Sequence, residues 1–115
     1  MRFVIERAAA RDAAAISALH ATSWQTHYAG ILPDDYLANQ VGQERAAYWA
    51  EAIQTGAYSL VLLARLADEP VGFIALKDNA DQGYDATIEH LHVAQSVKGK
   101  GLGRRLMGEA AQRLV

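Results

Sequence analysis

Two apolar patterns alternate along this chain: short β-branched or continuous runs that suit strands, and residues spaced three and four apart that suit helices. Phe3-Val4-Ile5-Glu6-Arg7 is of the first kind and predicts a strand. Ile16, Leu19 and Ser23 are of the second, in an alanine-rich stretch that predicts a helix over about residues 13–23 with Asp12 as its cap. Gly30 and Pro33 then break the chain, and Asp34-Asp35-Tyr36-Leu37 reads as a first helical turn led by Pro33. Residues 43–55 predict a fuller helix with Ala46, Trp49, Ala50 and Ile53 as its apolar stripe and Gly56 as its stop. The apolar run of residues 58–65 predicts a strand buried on both faces. A turn at Ala67-Asp68-Glu69-Pro70 returns residues 71–76 as its hairpin partner. A polar loop from Asp78 to Gln82 ends at Gly83, and residues 85–93 predict a fourth strand. In residues 101–114, Leu102, Leu106, Ala110 and Leu114 recur every four positions and predict a last helix. The order is strand, two helices, three strands, helix.

At 115 residues the chain has room for one domain, taken as residues 1–115, and 51% hydrophobic residues can build its core. The net charge of -2 disfavours a general binder of nucleic acid or membrane surfaces. Without cysteine there is no disulfide, thiolate nucleophile or thiolate metal site. Arg2, Glu6, Arg7, Arg11 and Asp12 interrupt any signal-like stretch, and the longest apolar run, Leu60 to Ala64, is far short of the roughly 20 residues of a spanning helix. A cytoplasmic protein is the expectation.

The candidate chemistry lies where the fourth strand meets the last helix, at Val97-Lys98-Gly99-Lys100-Gly101-Leu102-Gly103-Arg104. A helix N-terminus offers unpaired N–H groups and a partial positive charge, glycines allow close backbone approach, and Lys98, Lys100 and Arg104 add charge. The segment therefore suits a phosphate. It is not a P-loop, which requires Gly-x-x-x-x-Gly-Lys followed by Ser or Thr. Nor is it a dinucleotide fingerprint, because residue 104, where a third glycine would fall, is arginine.

Lys98-Gly99-Lys100-Gly101-Leu102-Gly103 resembles the Gln/Arg-x-x-Gly-x-Gly/Ala loop of the GCN5-related N-acetyltransferases (GNAT), with lysine at the position usually held by glutamine or arginine. Leu91-His92-Val93 is similar to that family's Leu-x-Val strand end. The element order and Trp24…Tyr28-x-Gly30-x-Leu32-Pro33 resemble it too. The resemblance implies an α/β fold with a mixed, mostly antiparallel sheet, and acetyl-CoA as cosubstrate for transfer to a primary amine. By the same resemblance, backbone groups of Leu91, His92 and Val93 pair with the pantetheine arm. Backbone groups of Lys98, Gly99, Lys100, Gly101, Leu102, Gly103 and Arg104 hold the pyrophosphate.

Glu89 is the expected general base, placed by simple alternation on the side of Leu91 and Val93. His92 and His90 are alternates on the other face, and Asp85 is an outside candidate. Trp24 and Tyr28 are expected beside the acceptor, with Tyr36 near them, although packing of amphipathic aromatics explains them equally. His20 and His27 lack a metal-ligand spacing, so no metal is expected. The family's fifth strand and later elements have no counterpart here. The expectation is that a fragment, or a partner such as a second copy, accounts for the open sheet. A non-catalytic acyl-CoA binding module and, less well supported, a small nucleic-acid protein using Lys98, Lys100, Arg104 and Arg105 stand as other readings.

Overall fold

The computed structural model describes residues 2–78 and 86–114. Asp85 and the loop expected up to Gly83 lie outside the described residues.

Among the described residues, four strands, β1 (Phe3–Arg7), β2 (Leu60–Leu66), β3 (Glu69–Asp78) and β4 (Ala86–Val93), form one sheet in sequence order, and every pairing is antiparallel. Sequential antiparallel neighbours need only short connections, except between β1 and β2, where the helices intervene. These are α1 (Ala13–His27), α2 (Asp34–Asn39) and α3 (Val41–Thr55); α4 (Leu102–Leu114) follows β4.

The strands alternate between two apolar cores. Leu60, Leu62, Ala64, Ile74 and Leu76 face one side, where Leu102, Leu106 and Ala110 of α4 cover them. Val61, Leu63, Phe73 and Ala75 face the other, under Ile16 of α1 and Trp49 of α3. The run predicted as doubly buried is so, because helices cover both faces. No helix among the described residues is long and apolar enough to cross a membrane.

Several details differ from the pattern reading. Helix α1 continues to His27, and the turn after Pro33 becomes a separate helix, so three helices lie between β1 and β2. The buried stripe of α3 is Val41, Trp49 and Ala52 with Ile53 partly covered, while Ala46 and Ala50 are exposed. An alanine scores as apolar but has too little surface to decide which face turns inward; Trp49 does. Asp12 makes no side-chain cap on α1. Its carboxylate instead accepts the Ala9 N–H at 2.8 Å across a 3-10 turn (Ala10–Asp12), and an Arg65 N–H at 3.0 Å. The β2–β3 turn narrows to Ala67 and Asp68, both left-handed at φ 51° and 69°, as a tight hairpin requires.

Two features set the position of α4 and the end of β4. An added Cβ on Gly72 of β3 would meet the His92 carbonyl oxygen and Leu102 Cδ2, each at 3.0 Å, so the absent side chain lets α4 seat on the sheet. Within β4, the pairing with β3 runs Ala75↔His90 and then Leu76↔Ile88, which leaves Glu89 in a bulge without a partner in the register.

Candidate active site

Beyond β4 the chain passes through a 3-10 turn (Gln95–Val97) and an arch into α4. Val97 is 3% exposed and Leu102 1%, so both ends of the arch are pinned in the core. The residues between them, Lys98, Gly99, Lys100 and Gly101, are exposed. Gly99 and Gly101 have φ of 80° and 83°, and nothing lies within 4 Å of a Cβ built on either, so conformation rather than space requires glycine. The amides of Lys98 and Lys100 are bonded to the Gln95 and Val97 carbonyls, whereas the first-turn amides of α4 point out of the helix with no intrahelical partner. Lys98, Lys100 and Arg104 surround this end with positive charge. Free amides and positive charge together could hold an anion here.

Backbone alternation defines the adjoining edge. Ala94 donates its N–H to the Val71 carbonyl at 2.8 Å, which makes Val71 and Ala94 a hydrogen-bonded pair. Stepping along the register, Gly72↔Val93 and Ile74↔Leu91 are then non-hydrogen-bonded pairs, with the N–H and C=O of Val93 and Leu91 directed away from β3. Sequence order in the sheet makes that side of β4 an outer edge among the described residues. A groove of about 520 Å³ runs beside it, walled by Leu19, Thr22 and Thr26 of α1 and by His92, Val93 and Lys98. The edge amides, the groove and the anion seat are therefore contiguous.

The side chains of β4 divide at the bulge. Leu91 and Val93 pack on the α4 side, and Gly103 of α4 comes close enough that a Cβ there would touch both. His90 and His92 face α1 and α3, stacking near Phe73, with ring centroids 5.0 and 4.8 Å from that of His20. Glu89 is exposed and does not line the groove. Simple alternation with Leu91 and Val93 does not describe it, because the bulge takes Glu89 out of register and its charge acts on His90 and Tyr58.

His20 corrects the expectation of an ordinary histidine. It is 4% exposed and accepts the Trp49 indole N–H on Nδ1 at 2.9 Å. One nitrogen each from His20, His90 and His92 lie within 4.8 Å of one another. Burial, reinforced by the charges of His92, His90 and Arg45, lowers the His20 pKa to about 4, so the ring is neutral at ordinary pH. Burial also lowers His90, against the opposing pull of Glu89. The Nε2 of His90 bonds the Tyr58 hydroxyl at 3.1 Å, and Tyr58 in turn bonds the Tyr48 hydroxyl. Burial, that hydroxyl and the Glu89 charge push the Tyr58 pKa up. No sequence signal marks this cluster, since α1, α3 and β4 meet only through the tertiary fold.

Trp24 and Tyr28 do not share the groove. They line a separate cleft of about 380 Å³ with Leu32, Pro33 and Tyr36, on the face of α1 turned away from Thr22 and Thr26. The rings of Trp24 and Tyr28 lie 4.8 Å apart, and Arg45 sits over Trp24 at 5.5 Å.

Comparison with solved structures finds this architecture repeatedly. The PaiA N-acetyltransferase of Thermoplasma acidophilum, in complex with coenzyme A, superposes with a TM-score of 0.76 at 23% identity over 99% of this chain and 72% of that one. A ribosomal-protein-alanine N-acetyltransferase from Brucella melitensis biovar Abortus 2308 gives 0.71 at 23% identity, over 97% and 71%. A GNAT family acetyltransferase of Brucella melitensis, in complex with acetyl-CoA, gives 0.68 at 19% identity, over 98% and 68%. At these identities the likeness is one of fold. No curated protein matches the sequence. The family model of the acetyltransferase (GNAT) family, however, matches residues 16–115, which include the arch, the edge of β4 and the groove, and on that match the chain belongs to the GNAT family.

Proposed function

We propose that this chain binds acetyl-CoA and moves its acetyl group directly to a primary amine. The observation that carries this reading is the continuity of an anion seat at the start of α4 with the outward-facing amides of Leu91 and Val93. A pantetheine arm laid along that edge would pair with these two residues as an added strand does. The first-turn amides of α4, Leu102 to Arg104, would hold the pyrophosphate at the helix N-terminus, with the Lys98, Lys100 and Arg104 side chains adding charge around it. The outward Val93 N–H would polarise the thioester carbonyl. The amine nitrogen then attacks that carbon, the C–S bond breaks, and the amine's surplus proton passes to a base while the thiolate takes up a proton. Two groups are candidates for the base. Glu89 offers a carboxylate at the bulge, and His92 is favoured by its place in the groove wall.

Calorimetry with coenzyme A and thiol release over a panel of amines test this directly. The wild type should bind coenzyme A and release free thiol; binding without thiol release would mean an acyl-CoA binding module. Gly101→Asp should abolish binding while its circular dichroism stays native, because φ there is left-handed and the carboxylate would face the diphosphate. Retained micromolar affinity in that variant would sink the loop assignment. The pH–rate profiles of Glu89→Gln and His92→Gln assign the base, the true one losing the limb that reports its deprotonation.

A further inference from the structure

At the groove wall His92 meets two further imidazoles, a grouping whose combined chemistry the acetyl-transfer reading does not account for. His20 comes from α1, while His90 and His92 are two residues apart on β4 and therefore face the same side. Their ligating nitrogens are within 4.8 Å of one another, and the ligand nitrogens around tetrahedral zinc lie about 3.4 Å apart, so modest ring rotation closes the set. His90 also carries an outer partner of the kind metal-bound imidazoles use: with Nε2 occupied by the Tyr58 hydroxyl, Nδ1 is left to ligate. Because His92 lines the groove, the fourth position opens there.

We propose that His20, His90 and His92 form a binding site for a divalent transition cation that favours imidazole, zinc above all, with its open coordination position facing the groove. The site goes beyond the acetyl-transfer reading and does not depend on it.

One contact opposes the ion. The Trp49 indole is a donor only, so His20 keeps an unprotonated Nδ1 and carries its proton on Nε2. To ligate through Nε2 the proton must move to Nδ1, where it would face the indole N–H. To ligate through Nδ1 the indole must leave. Either route breaks the Trp49 bond. The nearby charges divide: Arg45 disfavours a cation at both His20 and His90 and Lys77 disfavours one at His90, while Glu89 favours one there. Metal binding is thus set against one named hydrogen bond, which gives the site a signature that a surface histidine would lack.

The test is calorimetric titration of the untagged, chelator-stripped full chain with zinc chloride, and with cobalt chloride read by visible absorption. One ion per chain at micromolar affinity or tighter, with the d–d bands of tetrahedral cobalt, is expected. His92→Gln and His90→Gln should each weaken binding more than about 100-fold, and Tyr58→Phe about tenfold. Trp49→Phe should tighten it about fivefold, the equivalent of one net hydrogen bond released from competition. No binding at micromolar zinc would leave a hydrogen-bonded imidazole cluster only and overturn the proposal. So would affinity indifferent to His92→Gln and His90→Gln, which would locate the ion elsewhere on the surface. Affinity unchanged or lowered in a folded Trp49→Phe would remove His20 as a ligand and with it the three-imidazole site.

Discussion

At Asp12 a nearly buried carboxylate sits between two donors, the Ala9 N–H and the Arg65 guanidinium, and joins the start of α1 to β2. Burial alone would raise its pKa, but those two partners outweigh burial and hold the carboxyl below its ordinary 3.8. A depressed folded-state pKa contributes stability that is complete above the unfolded value and is lost as pH falls through the folded one. Asp12→Asn should therefore cost about 1–2 kcal/mol at pH 7, the Arg65 share being reduced by that side chain's partial exposure. The gap to wild type should close as the pH drops below 4. Urea titrations at pH 7 and pH 3 measure both; an equal gap at the two values would mean that charge plays no part. The sequence marks Asp12 as a helix cap because Asp before an alanine run usually is one. Only the fold reveals Arg65 beside it. His20 is the sharper case. In the sequence it is a lone imidazole among alanines, and its partners Trp49, His90 and His92 arrive from two other elements.

The strands and the last helix were legible because their signals are local. Leu60 to Ala64 is apolar at every position, and Leu102, Leu106 and Ala110 repeat at the spacing of one helix face. The arch was legible for the same reason, since alternating glycines at a helix start constrain only their own backbone. The bulge at Glu89 was not, because it is a property of two strands in register. The importance of Gly72 was hidden likewise: in a strand it reads as a weakness, yet it admits α4. Gly72→Ala tests whether that close approach sets the site. One of its two 3.0 Å contacts is a backbone oxygen, which cannot move aside as a side-chain tip can. Stability should fall by about 1–3 kcal/mol as α4 is lifted. Coenzyme A binding should weaken beyond any loss explained by unfolding, because the arch moves with the helix. A thermal melt and a titration on the same preparation separate the two effects; an undiminished melting temperature would show that α4 has slack against the sheet.

For the whole molecule, the imidazole cluster predicts how the fold meets mild acid. The His20 pKa falls to about 4 in the folded state, against 6.5 in the unfolded chain. Above pH 6.5 both states are neutral there, and the group adds no pH dependence. Between pH 6.5 and 4 the unfolded chain takes up a proton that folded His20 refuses, so folding loses stability steadily, by about 3 kcal/mol at full extent. His90 contributes in the same direction, moderated by Glu89, while the charges of Arg45 and His92 increase the cost at His20. Asp12 cannot mimic this, because its contribution is lost only below the ordinary carboxylate range. Equilibrium unfolding at half-unit steps from pH 7.5 to 4.5 should thus show a decline beginning near pH 6.5. In His20→Gln, which cannot titrate, the slope should flatten even if the variant is less stable throughout. A wild-type profile level down to pH 4.5 would mean that His20 protonates freely, and the packing of α1 and α3 around it would then have to be looser than the structure describes.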